Sequence, residues 1–155
     1  MLDIREFRLE VVPRGQGRPR VRSAYAHQNG ITRQFVTVYK AKEDKDYEKL
    51  VLDAYNLKYR KAEPMKNSVY VSLVFYLPVQ KAESKKTRTL MLDGTIDPTK
   101  KPDLDNLVKA VLDGLNGQAW EDDRQIVSLE AEKKYSETPG IIVRITGVGE
   151  NEKPL

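Results

Sequence analysis

Cysteine is absent from the 155 residues and histidine occurs once. A disulfide framework, a thiolate zinc site and an imidazole-rich metal centre are therefore excluded, so any bound metal must be held by oxygen. No run approaches the ~18 consecutive apolar residues of a membrane span. The opening MLDIREFRLEVV alternates charged and apolar residues, where a secretory signal needs a basic start and an apolar core. A cytoplasmic protein with no membrane association is expected. Repeats and domain linkers are missing too, and the length suits a single domain able to bury most of its apolar side chains.

What is present is a globular balance of 39% hydrophobic and 32% charged residues, with a net charge of +4. A positive excess suits a polyanionic partner, because Lys and Arg held against phosphates gain from counterion release. Glu6 to Val12 alternates with period two and reads as a strand ending at Pro13. The segment PRGQGRPRVRS places Arg14, Arg18, Arg20 and Arg22 among glycines and prolines, as an exposed loop leading into a strand at about Val21 to His27. Asn29-Gly30 is a hairpin turn signal, and Gln34 to Lys40 supplies the returning strand. His27, the sole histidine, reads as incidental to this strand end.

From Glu43 to about Ala62 the apolar spacing becomes helical. Val69 to Pro78 is nearly continuous in β-formers, as a central strand buried on both faces would be. The stretch 79–100 lacks stable periodicity and carries Lys81, Lys85, Lys86, Arg88 and Lys100. It reads as a mobile basic loop, either simply solvated or able to close on nucleic acid. After Pro102, Leu104, Leu107, Val108, Val111, Leu112 and Leu115 define the strongest helix, which stops at Asn116-Gly117. Alternation through Val127, Leu129 and Ala131 and the run GIIVRITG supply two last strands, and Trp120 is expected to anchor the connecting turn to the core. The expectation is an α/β (α+β) domain over 1–147, a mixed sheet packed with two main helices, and a frayed tail at 148–155.

The chemistry concentrates around that strongest helix. Asp103 stands where an N-cap belongs, its carboxylate able to accept backbone N–H groups. Asp105, Asn106, Lys109, Asp113 and Asn116 share the polar face, where an Asp105–Lys109 pair is expected at i,i+4. Glu121, Asp122 and Asp123 follow. Taken singly, each is an ordinary cap or solvated residue. Gathered together, several carboxylates repel unless a cation lies between them. Mg²⁺ is the natural occupant, with Mn²⁺ a substitute of similar oxygen-ligand chemistry. A basic rim over an acidic floor is the charge plan of a metal-dependent nuclease, with Lys109 placed to stabilise transition-state charge.

The stretch KPDLDNLVKAVLDGLNG, followed by WEDDRQIVSLEAEKKY, resembles the RusA-type Holliday-junction resolvases. Their pattern is K-P-D-x-D-N-x-x-K, then D-x-L-N, then D-D-x-Q-I with a lysine in the next strand. The match runs from Lys101 to about Lys133. The resemblance implies a homodimeric, Mg²⁺-dependent endonuclease that makes paired nicks in four-way DNA junctions, typically in phage or prophage recombination and repair. Asp103, Asp105 and Asp123 would be its catalytic carboxylates, with Asp122 a further metal ligand beside them, and Lys109 its essential lysine. From their charge, the basic segments named above, together with Lys101, are expected to contact DNA phosphates. Two other readings stand beside it: a nuclease for flaps, forks or other branched DNA, and a non-cutting DNA-binding accessory of recombination.

Overall fold

A computed structural model describes residues 1–149. The elements run β1 (Asp3–Leu9), β2 (Arg20–Gln28), β3 (Ile31–Tyr39), α1 (Lys42–Tyr59), β4 (Ser68–Leu77), α2 (Lys85–Leu92), α3 (Leu104–Leu115), a single 3-10 turn at Asp123–Gln125, β5 (Ile126–Tyr135) and β6 (Gly140–Val148). Four strands form one mixed sheet in the order β1-β6-β4-β5, while β2 and β3 pair only with each other. β1–β6 and β6–β4 are antiparallel and β4–β5 is parallel. The parallel pair requires a long crossover, and α2 and α3 lie within it.

One face of the sheet is buried. Val71, Leu73 and Phe75 of β4 pair across to Ile145, Val143 and Ile141 of β6, and all six are sealed beneath the helices. On the other face, Tyr70, Ser72, Val74 and Tyr76 remain only half-buried, so the expected burial of this strand on both faces is not observed. The physical reason is that helices cover a single side, giving a two-layer α+β domain. α3 supplies Leu107, Val111 and Leu115 to the core. It approaches α1 so closely that a Cβ on Gly114 would meet the Glu48 carbonyl oxygen at 2.9 Å, which leaves glycine as the residue that fits there.

Several expectations need adjustment. The segment 79–100 is not a continuous loop: Ser84 caps α2 by accepting from the Thr87 amide, and buried Met91 fastens that helix. The helix was hidden because its polar, basic sequence carries little apolar period. α1 ends at Tyr59 rather than Ala62. In β5 a register shift opposite Val69/Tyr70 breaks the alternation: Leu129 and Ala131 pair with Val71 and Leu73 of the helix-covered face, while Val127 falls at the irregularity and is exposed. Val148 belongs to β6, and the rest of the expected tail from 150 onward lies outside the described residues. Trp120 is fully buried, as expected of an anchor. Asn29 and Gly30 both take positive φ, 53° and 76°, the geometry that lets a two-residue turn close the β2–β3 hairpin.

Candidate active site

α3 and the helix-facing side of β5 diverge enough to leave an open groove of ≈ 660 Å³. Leu104, Val108 and Leu112 line it from the helix, and Leu129 and Ala131 from the strand. Four charged residues border the same space: Asp105, Lys109 and Asp113 of α3, and Asp123 from the turn before β5. The apolar period of α3 causes this. Burying Leu107 and Val111 aims Asp105 and Lys109 outward, and the parallel β4–β5 pairing returns the chain so that Asp123 faces the same groove.

Asp122 and Asp123 are adjacent but do different things. Asp122 caps the 3-10 turn: its carboxylate accepts from the Arg124 amide at 2.9 Å, and its own amide donates to Gln125 Oε1 at 2.7 Å. Gln125 Nε2 also donates to the carbonyls of Met65 and Asn67, pinning the turn to the segment just before β4. Asp123 is thereby turned to the groove, where Trp120 Nε1 donates to its Oδ1 at 2.8 Å. The second oxygen of Asp123 has no partner among the described residues. The pairing of two acids with a glutamine two residues later thus has a local explanation: one acid and the glutamine build the turn, and the other acid is presented by it.

Asp103 occupies the N-cap position of α3, with φ −68° and ψ 143°, yet its side chain makes no capping bond. The structural role expected for its carboxylate is therefore not exercised. The Asp105–Lys109 pair is not formed either. Lys109 instead bonds both oxygens of Asp113, at 3.0 and 3.3 Å, while Asp105 Oδ1 accepts from the Asn106 amide. Lys40, at the end of the β2–β3 hairpin, approaches Asp113 from the other side at 2.8 Å and also reaches Glu48 at 2.6 Å. Burial pushes the Asp113 carboxyl up, but bonds from Lys40 and Lys109 outweigh it and hold the carboxyl below its ordinary value. Burial likewise pushes Lys40 down, while Asp113 and Glu48 more than compensate and raise it. Lys40 and the Trp120–Asp123 bond were not legible as site features, since both depend on contacts between elements. Lys133 of β5 donates to the carbonyls of Lys100 and Pro102 and so holds the turn that leads into Asp103.

Not every residue expected at the site gathers there. Among the described residues no three acidic side chains form a cluster able to hold a metal. Asp105 and Asp123 share the groove, whereas Asp103 does not line it. Two carboxylates bordering one open space, Asp105 and Asp123, still suit Mg²⁺, which is commonly held by one or two carboxylates together with substrate phosphate oxygens. Of the basic residues expected at DNA, Arg14 is engaged with buried Asp44 at 3.0 Å and Arg88 lies 3.8 Å from Glu137. Arg18, Arg20, Arg22, Lys81, Lys85, Lys86, Lys100 and Lys101 are exposed. No helix among the described residues is long and apolar enough to cross a membrane.

The family model for the endodeoxyribonuclease RusA matches residues 10–146. The chain belongs to the RusA endodeoxyribonuclease family. It is also similar to an uncharacterized protein, YqaN, of Bacillus subtilis (strain 168), 34% identical over 151 residues and covering 95% of this chain and 99% of that one. The matched region contains all of α3 and β5 and the turn between them, so membership in a DNA endonuclease family extends over the whole candidate site.

Proposed function

We propose that this RusA-family protein is a Mg²⁺-dependent endonuclease that resolves four-way DNA junctions by paired nicks, acting as a homodimer. The observation that carries the reading is the convergence of Asp105, Asp123 and Lys109 on one open groove in a chain of this family. Asp105 and Asp123 would hold the metal; Asp103, two residues from Asp105 and engaged by no cap bond, is the third carboxylate of the proposed catalytic set. Asp122 is used in the turn and is assigned no metal. The chemistry supplied by that ion is a water acidic enough to yield a nucleophile, with a counter-charge for the scissile phosphate.

The chain's own residues do the rest. Trp120 fixes one oxygen of Asp123 and leaves the other without a bond among the described residues, at the border of the groove. Asp113 holds Lys109 with its ammonium still largely exposed, where it can bond a phosphate oxygen as charge develops. Lys133 steadies the turn carrying Lys100 and Lys101, whose ammonium groups can contact the backbone on either side. A four-way junction presents equivalent strands in pairs, and a C2 dimer would bring one groove to each.

The deciding test uses a synthetic four-way junction with each strand labelled in turn, incubated with Mg²⁺. Symmetric nicks in two opposing strands are expected, with light scattering giving a dimer. Cleavage confined to flaps or forks would instead assign the same chemistry to other branched DNA, and absence of any cleavage would leave a binding accessory.

A further inference from the structure

The β2–β3 hairpin is exposed along the whole of both strands, from Arg20 to Gln28 and from Ile31 to Tyr39. A two-stranded ribbon is marginal by itself, and this one displays aromatic side chains to solvent, Phe35 at 51% and Tyr39 at 36% exposure among them. Such a surface calls for a partner. Charge says which kind: between Glu10 and Glu43 the sequence contains no Asp or Glu, while arginines and lysines recur throughout.

The register then sorts the ribbon into two unlike faces. Arg20 pairs with Tyr39, Arg22 with Thr37, Ala24 with Phe35 and Ala26 with Arg33, so all three arginines of the ribbon lie on one face with both of β3's aromatics. Arg22 stacks over the Tyr39 ring at 5.5 Å, consistent with that shared face. The opposite face pairs Val21 with Val38, Ser23 with Val36 and His27 with Thr32 and carries no arginine or lysine. His27 bonds Thr32 across this second face at 2.7 Å. The ribbon's nine-residue strands span about 30 Å, close to one turn of B-DNA at ~34 Å, and a two-stranded ribbon fits the ~12 Å major groove.

Both ends of the ribbon are tied to the helix that carries Asp105. On the entering side, the Gln16 amide donates to the Asn106 carbonyl at 2.9 Å, and Gly15 lies so near that a Cβ there would be 3.1 Å from the Asn106 Cβ. On the leaving side, Lys40 bonds Asp113. We propose that the β2–β3 ribbon is a DNA-gripping arm that lies in the major groove of a duplex arm, with the Arg20, Arg22, Arg33, Phe35 and Tyr39 face toward the DNA. This rests on the nuclease reading for its substrate and extends it, because it assigns the grip to one face of one element and brings in Arg33, Phe35 and Tyr39.

The experiment measures binding without metal, by fluorescence anisotropy, to a linear duplex and to a four-way junction. Replacing Arg20, Arg22 and Arg33 together by Ala should weaken both complexes by about tenfold or more and flatten the slope of log affinity against log salt by ~0.9 for each phosphate no longer neutralised. Val36→Thr with Val38→Thr, on the other face, should leave affinity and oligomeric state unchanged. Arg33→Glu alone, a single exposed side chain, provides the same direction of change should the triple variant fold poorly. Wild-type affinity and salt slope in the arginine variants would overturn the arm. So would a change of oligomeric state in the valine variant, which would make the ribbon a contact between copies. A wild-type protein that binds but never cuts would sink the nuclease reading alone, whereas one that cuts normally while its arginine variants bind normally would sink the arm alone.

Discussion

The groove between α3 and β5 and the β2–β3 ribbon both present apolar and charged side chains to solvent, yet they are built in opposite ways. The groove's charges stand on elements locked into the core: Asp105 lies two residues before fully buried Leu107, and Asp123 is bonded to fully buried Trp120. The ribbon has no buried residue in either strand. Groups that must act on a particular bond have to be held to within a fraction of an ångström, and only a packed scaffold does that. Groups that follow a phosphate backbone tolerate, and gain from, an element free to adapt. The carboxylates are on the rigid part and the arginines are on the unpacked part.

The largest effect that would break this division concerns the groove. Asp105→Asn or Asp123→Asn should reduce Mg²⁺-dependent cleavage by more than the ~10–100-fold typical of groups one shell removed from a metal, with metal-free DNA affinity held or improved because one repulsion against phosphate is gone. Single-turnover cleavage alongside anisotropy separates the two quantities. An Asp123→Asn protein that cuts normally would remove the groove from the mechanism. Asp122→Ala should behave otherwise, losing the turn's cap at a cost of about 1 kcal/mol while retaining cleavage. Equal loss of cleavage in both variants would show that the turn, rather than Asp123 itself, carries the effect.

A second comparison is of stability. Leu107→Ala opens a cavity beneath α3 and should cost about 2–5 kcal/mol, whereas Val36→Ala on the ribbon should fall within ~0.5 kcal/mol. Denaturant melts of the two variants test this directly. A large loss from Val36→Ala would mean that the ribbon is covered in solution, most simply by a second copy.

The smallest expected effect lies where the two regions join, at Lys40 and Asp113. A carboxyl depressed in the folded state stabilises above its unfolded value and loses that contribution as pH falls through the folded one. A raised ammonium stabilises below its unfolded value and loses it as pH rises through the folded one. Asp113 is held below 3.8 and Lys40 above 10.5, so their contribution is complete between those values. Asp113→Asn should therefore lower the melting temperature at neutral pH, and the difference from the parent should shrink below about pH 4. A difference constant down to strongly acidic pH would show that Asp113 acts by shape and not by charge.

Much of this protein was legible in its amino-acid order because local physics decides it. The apolar repeat of α3 could be satisfied only by a helix with a polar outer face carrying Asp105 and Lys109. Asn29-Gly30 permitted a tight hairpin, and the run from Val69 to Leu77 had nowhere to go but a sheet interior. The same local physics hid α2, whose lysines and threonines leave almost no apolar period and whose existence depends on Ser84 and on burying Met91. Choices among equivalent local possibilities were made elsewhere. Lys109 stands four residues from both Asp105 and Asp113, and spacing alone ranks neither; in the folded chain it bonds Asp113, which Lys40 reaches from just beyond β3. Asp122 and Asp123 are chemically alike, and only the clamp of Gln125 onto the segment before β4 and the indole of Trp120 made one a cap and left the other bordering the groove. The order of residues determined which side chains could do chemistry. Which of them meet was decided by long-range pairing and burial, since a contact between residues far apart in the chain exists only once the sheet and helices have packed.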